Sequence, residues 1–349
     1  MRFTNVIIEN KYVTLHAFST MHSTLRYIFA AMMLVCAAPV AAQSGATSVF
    51  DFLRLPTSSH AMALGGTNTT LPDDDAALLF QNPALMSNVS DRTINLGFMT
   101  YMRGSKAGNA SWVMAHGERG SWGVGAQFVG YGSMAETTVD GVVMGDFSAL
   151  DMCLTGGYAY MLTEYLSGGA TGKFIYSKYG GFSSVGLGID IGLNFYNEAK
   201  GFSASLVLAN AGGQVKRFGD HHEPLPIDLR LGITQRLSGA PLQFSVTLTD
   251  LTRWASSDFY NPSGGSVGFG RKLTSHFLVG VDVIPMKQLY ISAAYNFRRA
   301  YEMKAAGGSH GAGLCFGAGL NLKKVKIGFS YAKYHISVPS FMVNAQYTL

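Results

Sequence analysis

Val185-Gly186-Leu187-Gly188-Ile189-Asp190-Ile191-Gly192-Leu193-Asn194-Phe195 is the stretch that decides the fold. Every odd position is a large apolar residue and every even one is glycine, aspartate or asparagine. Successive side chains on a strand point to opposite faces, so this segment has one greasy face and one small, polar face. Its eleven residues match the 9–11 that a tilted strand needs to cross a bilayer. Residues 227–237 repeat the pattern, with Ile227, Leu229, Leu231, Ile233 and Leu237 opposite Asp228, Arg230, Thr234 and Arg236. Residues 324–332 set Val325, Ile327, Phe329 and Tyr331 against Lys326, Gly328, Ser330 and Ala332. A soluble sandwich alternates too, so the pattern alone fits a wet face or a polar lumen.

Composition separates the two. Among 349 residues, 48% are hydrophobic but only 13% charged, about half of what a soluble domain carries. That balance excludes a disordered chain. No segment after residue 42 holds the ~18 uninterrupted apolar residues of a helical span. Apolar surface without apolar runs is expected where every second residue faces lipid. The formal charge of +5 is scattered, without a basic cluster, so nucleic acid is not an expected partner.

The N-terminus reads as an address. Arg26 precedes the apolar run of residues 27–35, and small residues lead to a cut near Ala42/Gln43, as in a secretory signal peptide. Residues 1–20 read as an upstream extension, with Met21 a second possible start. Removal of residues 1–42 leaves Cys153 and Cys315, too few for a disulfide framework. Both fall on the small, polar faces of distant strands, beyond the ~7 Å Cα limit of a disulfide, so free thiols are expected.

Three features then favour an outer-membrane barrel over 91–349. Export is one. Aromatic residues near strand ends (Trp112, Trp122, Tyr158, Tyr160, Tyr295, Tyr331) fit interfacial girdles. The last strand, with Phe341, Val343, Ala345, Tyr347 and Leu349 on one face, resembles a barrel-assembly signal. Fifteen segments alternate, whereas single-chain bacterial barrels have an even number. Placing the tight turns at 118–120, 162–165, 197–201, 238–241, 285–287 and 321–323 on the periplasmic side requires removing 264–272. The expectation is therefore fourteen antiparallel strands, with outer loops at 132–147, 211–226, 252–275 and 299–311. Asp190, Asn194, Arg230, Arg236 and Lys326 should face the lumen.

Residues 43–90 do not alternate and read as a luminal plug. Within them, residues 71–83 predict a short helix, capped by the Asp73-Asp74-Asp75 run and ended by Asn82-Pro83. Motifs for chemistry do not survive geometry. Ser330-Tyr331-Ala332-Lys333 fits S-x-x-K, but on a strand positions three apart face opposite ways. Gly264-Gly265-Ser266-Val267-Gly268 and Gly307-Gly308-Ser309-His310-Gly311 fit G-x-S-x-G without the strand-to-helix turn that a nucleophile elbow requires. The Asp run could ligate Ca²⁺ and His221-His222-Glu223 a transition metal, yet capping and a solvated loop explain them without an ion. No enzyme activity, metal or cofactor is expected.

Beyond the physics, the chain resembles the PorQ branch of the PorV/PorQ family. The resemblance rests on Phe52-Leu53-Arg54-Leu55-Pro56, on Ser58-Ser59-His60-Ala61-Met62-Ala63-Leu64-Gly65-Gly66, and on the Asp run followed by Asn82-Pro83-Ala84-Leu85. Tyr295-Asn296-Phe297-Arg298-Arg299 and the glycine-rich 311–320 continue it. The tail at 1–20 and Leu349 in place of a terminal Phe depart from it. The resemblance implies a FadL-like barrel of fourteen strands, with Gly65, Gly66, Asp74, Asp75, Asn82 and Pro83 as the plug motif. It also implies a non-catalytic part in the type IX secretion and cell-surface attachment complex. The partners would be a PorZ-like surface protein, the sortase-like PorU, PorV, and outer-membrane lipid with lipopolysaccharide. Trp254, Phe259 and Tyr260 in an outer loop form an aromatic patch suited to docking. The alternative is a FadL-type transporter of hydrophobic small molecules with 43–90 as its hatch.

Overall fold

The computed structural model describes residues 48–349 apart from 102–103, 139, 141, 220–221, 263, 305–310 and 336–337. The expected signal peptide and cut, and His221, lie outside the described residues. Fourteen strands close into one antiparallel barrel: β1 (Thr93–Thr100), β2 (Lys106–His116), β3 (Gly120–Thr137), β4 (Val143–Met161), β5 (Leu166–Tyr179), β6 (Phe182–Asn197), β7 (Phe202–Lys216), β8 (Asp228–Arg236), β9 (Leu242–Leu248), β10 (Phe277–Met286), β11 (Leu289–Asn296), β12 (Leu314–Asn321), β13 (Val325–Ala332) and β14 (Ser340–Thr348). Each pairs with its sequence neighbours. The seam is β1 against β14, running from Thr93↔Thr348 to Met99↔Met342. Closure pairs every mid-wall backbone group, which lipid demands.

The decisive stretch is β6, and its alternation is literal. Leu187, Ile189 and Ile191 are half-exposed on the outside, whereas Gly186, Gly188, Asp190, Gly192 and Asn194 are buried within. On β8, Leu231 and Ile233 face out while Asp228, Arg230 and Thr234 are buried. The wall interior thus holds charge. Lys173 Nζ lies 2.6 Å from Asp190 Oδ2 and donates to Asn210 Oδ1 at 2.7 Å. Asn210 sits at a bulge between β6 and β7 with φ of 57°, a conformation asparagine tolerates.

Residues 264–272 are not a strand: α2 (Phe269–Ser275) begins inside them, as the parity of the wall demanded. Two expected loops need correction. Residues 132–147 are mostly the ends of β3 and β4, and 211–216 belong to β7. Above the membrane both faces of a hairpin are wet, so the apolar alternation that reveals a strand disappears. The single helix expected over 71–83 is instead two 3-10 turns, Ala76–Phe80 and Pro83–Asn88. Asn82 starts the second rather than merely ending the first: its side chain accepts from Ala84 N, with Pro83 at the first position.

Depth decides what a charge on the outer face costs. Ile189→Arg near the midplane is expected to cost roughly 2–4 kcal/mol and Leu237→Arg at the periplasmic rim about 0–1. Folded yield in detergent, read by heat-modifiable gel migration, tests this. Equal losses at the two positions would contradict the assigned depths.

Candidate functional site

Residues 48–90 lie inside the wall, and short-range chemistry shapes them. Ser48 accepts from Phe50 N at the start of the Val49–Arg54 3-10 turn. Ser58 accepts from Ala61 N at the start of α1 (Ser59–Ala63) and donates to Asp75 Oδ2 at 2.6 Å. Asp75 Oδ1 in turn accepts from Ala77 N. Each cap satisfies amides that a short helix leaves open. Gly65 and Gly66 adopt φ of 111° and 110°, where a side chain is strained, and a Cβ on Gly66 would press on Tyr334 and Arg299. Gly192 of β6 leaves the space that the Asn82 amide fills.

The segment is pinned at three depths. At the outer end Asp250, just past β9, forms an ion pair with Arg54 Nη1 and accepts from Arg298 Nη1, each at 2.6 Å. Arg298 and Arg299 belong to α3 (Phe297–Glu302) in the β11–β12 loop. Arg299 Nη2 and Asn296 Nδ2 donate to the Gly65 carbonyl at 3.1 and 3.0 Å, and the Arg299 guanidinium lies 4.0 Å from the Tyr334 ring centroid. In the middle, His60 bridges Asp282 of β10 and Asp73, at 3.0 and 3.2 Å, stacked 3.8 Å from Tyr290. Asn344 of β14 accepts from Ser59 N and donates to the Thr57 carbonyl. Toward the periplasm Lys326 Nζ donates to Asp73 and to the Asp74 carbonyl, while Asp74 accepts from Ser90.

The Asp run therefore divides its labour. Only Asp75 caps; Asp73 and Asp74 neutralise His60 and Lys326. Among the described residues no group of three or more His, Cys, Asp or Glu is arranged to hold a metal ion. Burial acts against charge on His60, but Asp282 and Asp73 outweigh it and its pKa is pushed up to about 10. Burial would raise the Asp250 pKa, yet Arg54, Arg298 and Arg253 hold it well below the usual carboxylate range.

Beside the outer pins, stretches of the otherwise polar inner wall are apolar. Register neighbours Met342, Met99, Ala107 and Val129 form one run across β14, β1, β2 and β3. Ala294, Cys315 and Ala332 form another across β11–β13, and Cys153 with Ile175 a third across β4 and β5. Both thiols are free and buried. Phe50, Phe52, Leu53, Leu55 and Met62 of the inner segment fill this belt, and Leu225 closes it from the β7–β8 loop. Beside it a vestibule of about 330 Å³ is lined by Arg54, Asp228, Arg230, Asp250, Arg298 and Arg299 among others. Below, a cavity of about 350 Å³ opens beside His60, Asp73, Arg236 and Tyr290. The inner segment separates the two.

The residues singled out from sequence land in different places. Gly65, Gly66, Asp74, Asp75, Asn82 and Pro83 all belong to the inner segment or its pins. Asp190, Asn194, Arg230 and Lys326 face inward. Arg236 shares their parity but sits exposed at the periplasmic mouth. The aromatic patch splits. Trp254 and Tyr260 are exposed, but Phe259 is only 5% exposed, wedged edge-on against His276 and beneath Arg298, so it cannot serve as a docking anchor. Sequence reading missed Asp250, His60 and Asp282 as partners. Asp250 carried no signal beyond standing at a strand end.

Comparison with solved structures identifies the architecture. The Pseudomonas putida toluene transporter TodX superposes with a TM-score of 0.54 at 15% identity, over 86% of this chain and 98% of that one. The monoaromatic hydrocarbon channel CymD gives 0.52 at 13%, over 86% and 97%. A Pseudomonas aeruginosa FadL homologue gives 0.51 at 11%, over 83% and 98%. At such identities the likeness shows the fold alone: a closed fourteen-strand barrel like those of these three proteins. No family model matches the chain, and no curated protein matches it significantly.

Two outcomes follow from the pins. Asp250→Ala leaves Arg54 and Arg298 without their shared carboxylate, an expected cost of about 3–5 kcal/mol for a broken buried pair. The inner segment should become protease-sensitive while the barrel stays heat-modifiable. The His60 pin runs the other way with pH. Its folded pKa lies above the unfolded value, so its contribution is complete below pH ~6.5 and is lost as pH rises through about 10. Protease sensitivity of the segment should therefore grow between pH 7 and 10.5, and His60→Gln should flatten that rise.

Proposed function

We propose that this barrel admits small hydrophobic molecules across the outer membrane, with the inner segment as a hatch that closes it at rest. The observation that carries this reading is the apolar belt inside the lumen. A barrel that only conducts water and ions has a polar interior. Here the belt is covered by Phe50, Phe52 and Leu53, side chains that a hydrophobic solute of similar size could replace. Burying such a side chain is worth about 1.5–3 kcal/mol, so exchange for a solute need not be steeply uphill. The likeness to a toluene transporter and a monoaromatic hydrocarbon channel supports the reading through fold alone.

A second reading places the chain in the PorQ branch, as a type IX secretion component that docks a surface protein such as a PorZ-like partner, alongside PorU and PorV. The hairpin of β3 and β4 favours it. These strands run 18 and 19 residues, well past what a bilayer needs. They lift Val142, Val143 and Met144 to 60–73% exposure at their tip. Apolar tips held clear of lipid suit protein contact.

Uptake of toluene by proteoliposomes tests the first reading. The wild type should exceed empty liposomes, and Phe50→Ala with Phe52→Ala, which thins the hatch, should raise uptake several-fold. Uptake no better than empty liposomes in both would reject transport. If Val143→Glu with Met144→Glu instead strips a co-purifying surface protein from the intact barrel, docking is the function.

A further inference from the structure

We infer that the outer cap over β9–β12 is a seat for a phosphorylated lipid of the outer leaflet, with the chemistry of lipid A. The cap comprises residues 251–262, 264–275 and 297–304, the last including α3. Its outward side is apolar: Phe269 is 71% exposed, and Trp254 and Leu273 are each 40% exposed. Trp254 is fixed, since its indole donates to the Leu251 carbonyl and its ring sits 4.4 Å from His276 and 6.4 Å from Phe269. α2 runs directly into β10, whose Val279 and Val283 belong to the lipid-facing wall, so the patch continues the lipid belt upward.

Charge selects the lipid. Lys272 Nζ reaches the Trp254 carbonyl at 3.1 Å, at the patch margin. Lys304 lies over the Tyr301 ring, which Arg271 also covers. Arg271 is already committed to Asn261 and to the Tyr260 and Tyr301 carbonyls and holds the cap together. The cap's acids are spent internally. Asp258 is buried and accepts from Ala255 N, and Glu302 pairs with Arg298. Among the described residues the cap therefore shows lysine and no exposed carboxylate beside an apolar face that abuts lipid. Acyl chain below and phosphate above complement that arrangement. The inference needs only the barrel in its membrane, and stands or falls apart from the transport reading.

The test uses the full-length barrel in detergent micelles, with Trp112→Phe and Trp122→Phe leaving Trp254 as the reporter and heat-modifiable migration confirming the fold. Diphosphoryl lipid A should blue-shift Trp254 emission at concentrations at least tenfold below those needed with dephosphorylated lipid A. Lys272→Gln with Lys304→Gln should raise the half-point about 25-fold, roughly fivefold per lysine. Lys272→Arg should retain the response. Equal half-points for the two lipids, or an unchanged double variant, would overturn the inference. So would protection of Trp254 from acrylamide by an outer-membrane protein rather than by the lipid.

Discussion

A barrel of fourteen strands leaves a lumen that must be filled, and what fills it governs the rest of this molecule. Closure of the wall solves the backbone problem that lipid poses. It creates an interior too wide for the wall's own side chains to span. The inner segment takes up that space through three kinds of contact: ion pairs under the outer cap, apolar packing in the belt, and a histidine–carboxylate–lysine chain from mid-lumen toward the periplasm. Remove the segment and the belt would face water, while Asp282 and Asp250 would lose His60 and Arg54, cations placed to neutralise them.

Alternation along β6 and β8 made the wall legible in sequence, because lipid enforces it residue by residue. Parity even removed a false strand at 264–272. The extensions of β3, β4 and β7 were not legible, since above the membrane nothing enforces alternation. The inner segment was recognisable by its failure to alternate and Asp75 by its capping chemistry, whereas Asn82, read as a helix end, caps the following turn. Its pins were not. His60 and Asp282 are separated by 222 residues, and Arg54 meets Asp250 only because a short segment crosses the lumen at one height. Phe259 misled for a related reason. An aromatic in a loop looks exposed, but the helices that grow from the flanking loops bury it.

The outer end joins parts that sequence presents as unrelated. Asp250 belongs to the β9–β10 connection, Arg298 and Arg299 to the β11–β12 connection, Tyr334 to the β13–β14 connection, and Gly65 to the inner segment. All four meet within a few ångströms. Loops and inner segment thus share one set of charges, so loosening either weakens the other.

The wall has unequal height. β3 to β7 tower over the short β8 to β14, where the cap lies low against the rim. The rim of the barrel is a slope rather than a level ring, with a tall side and a low side fixed in the plane of the membrane. A neighbour approaching from outside meets different terrain at each compass bearing, and two copies side by side would shade or expose one another according to their headings. The barrel carries a direction that its closed circuit of strand pairings conceals.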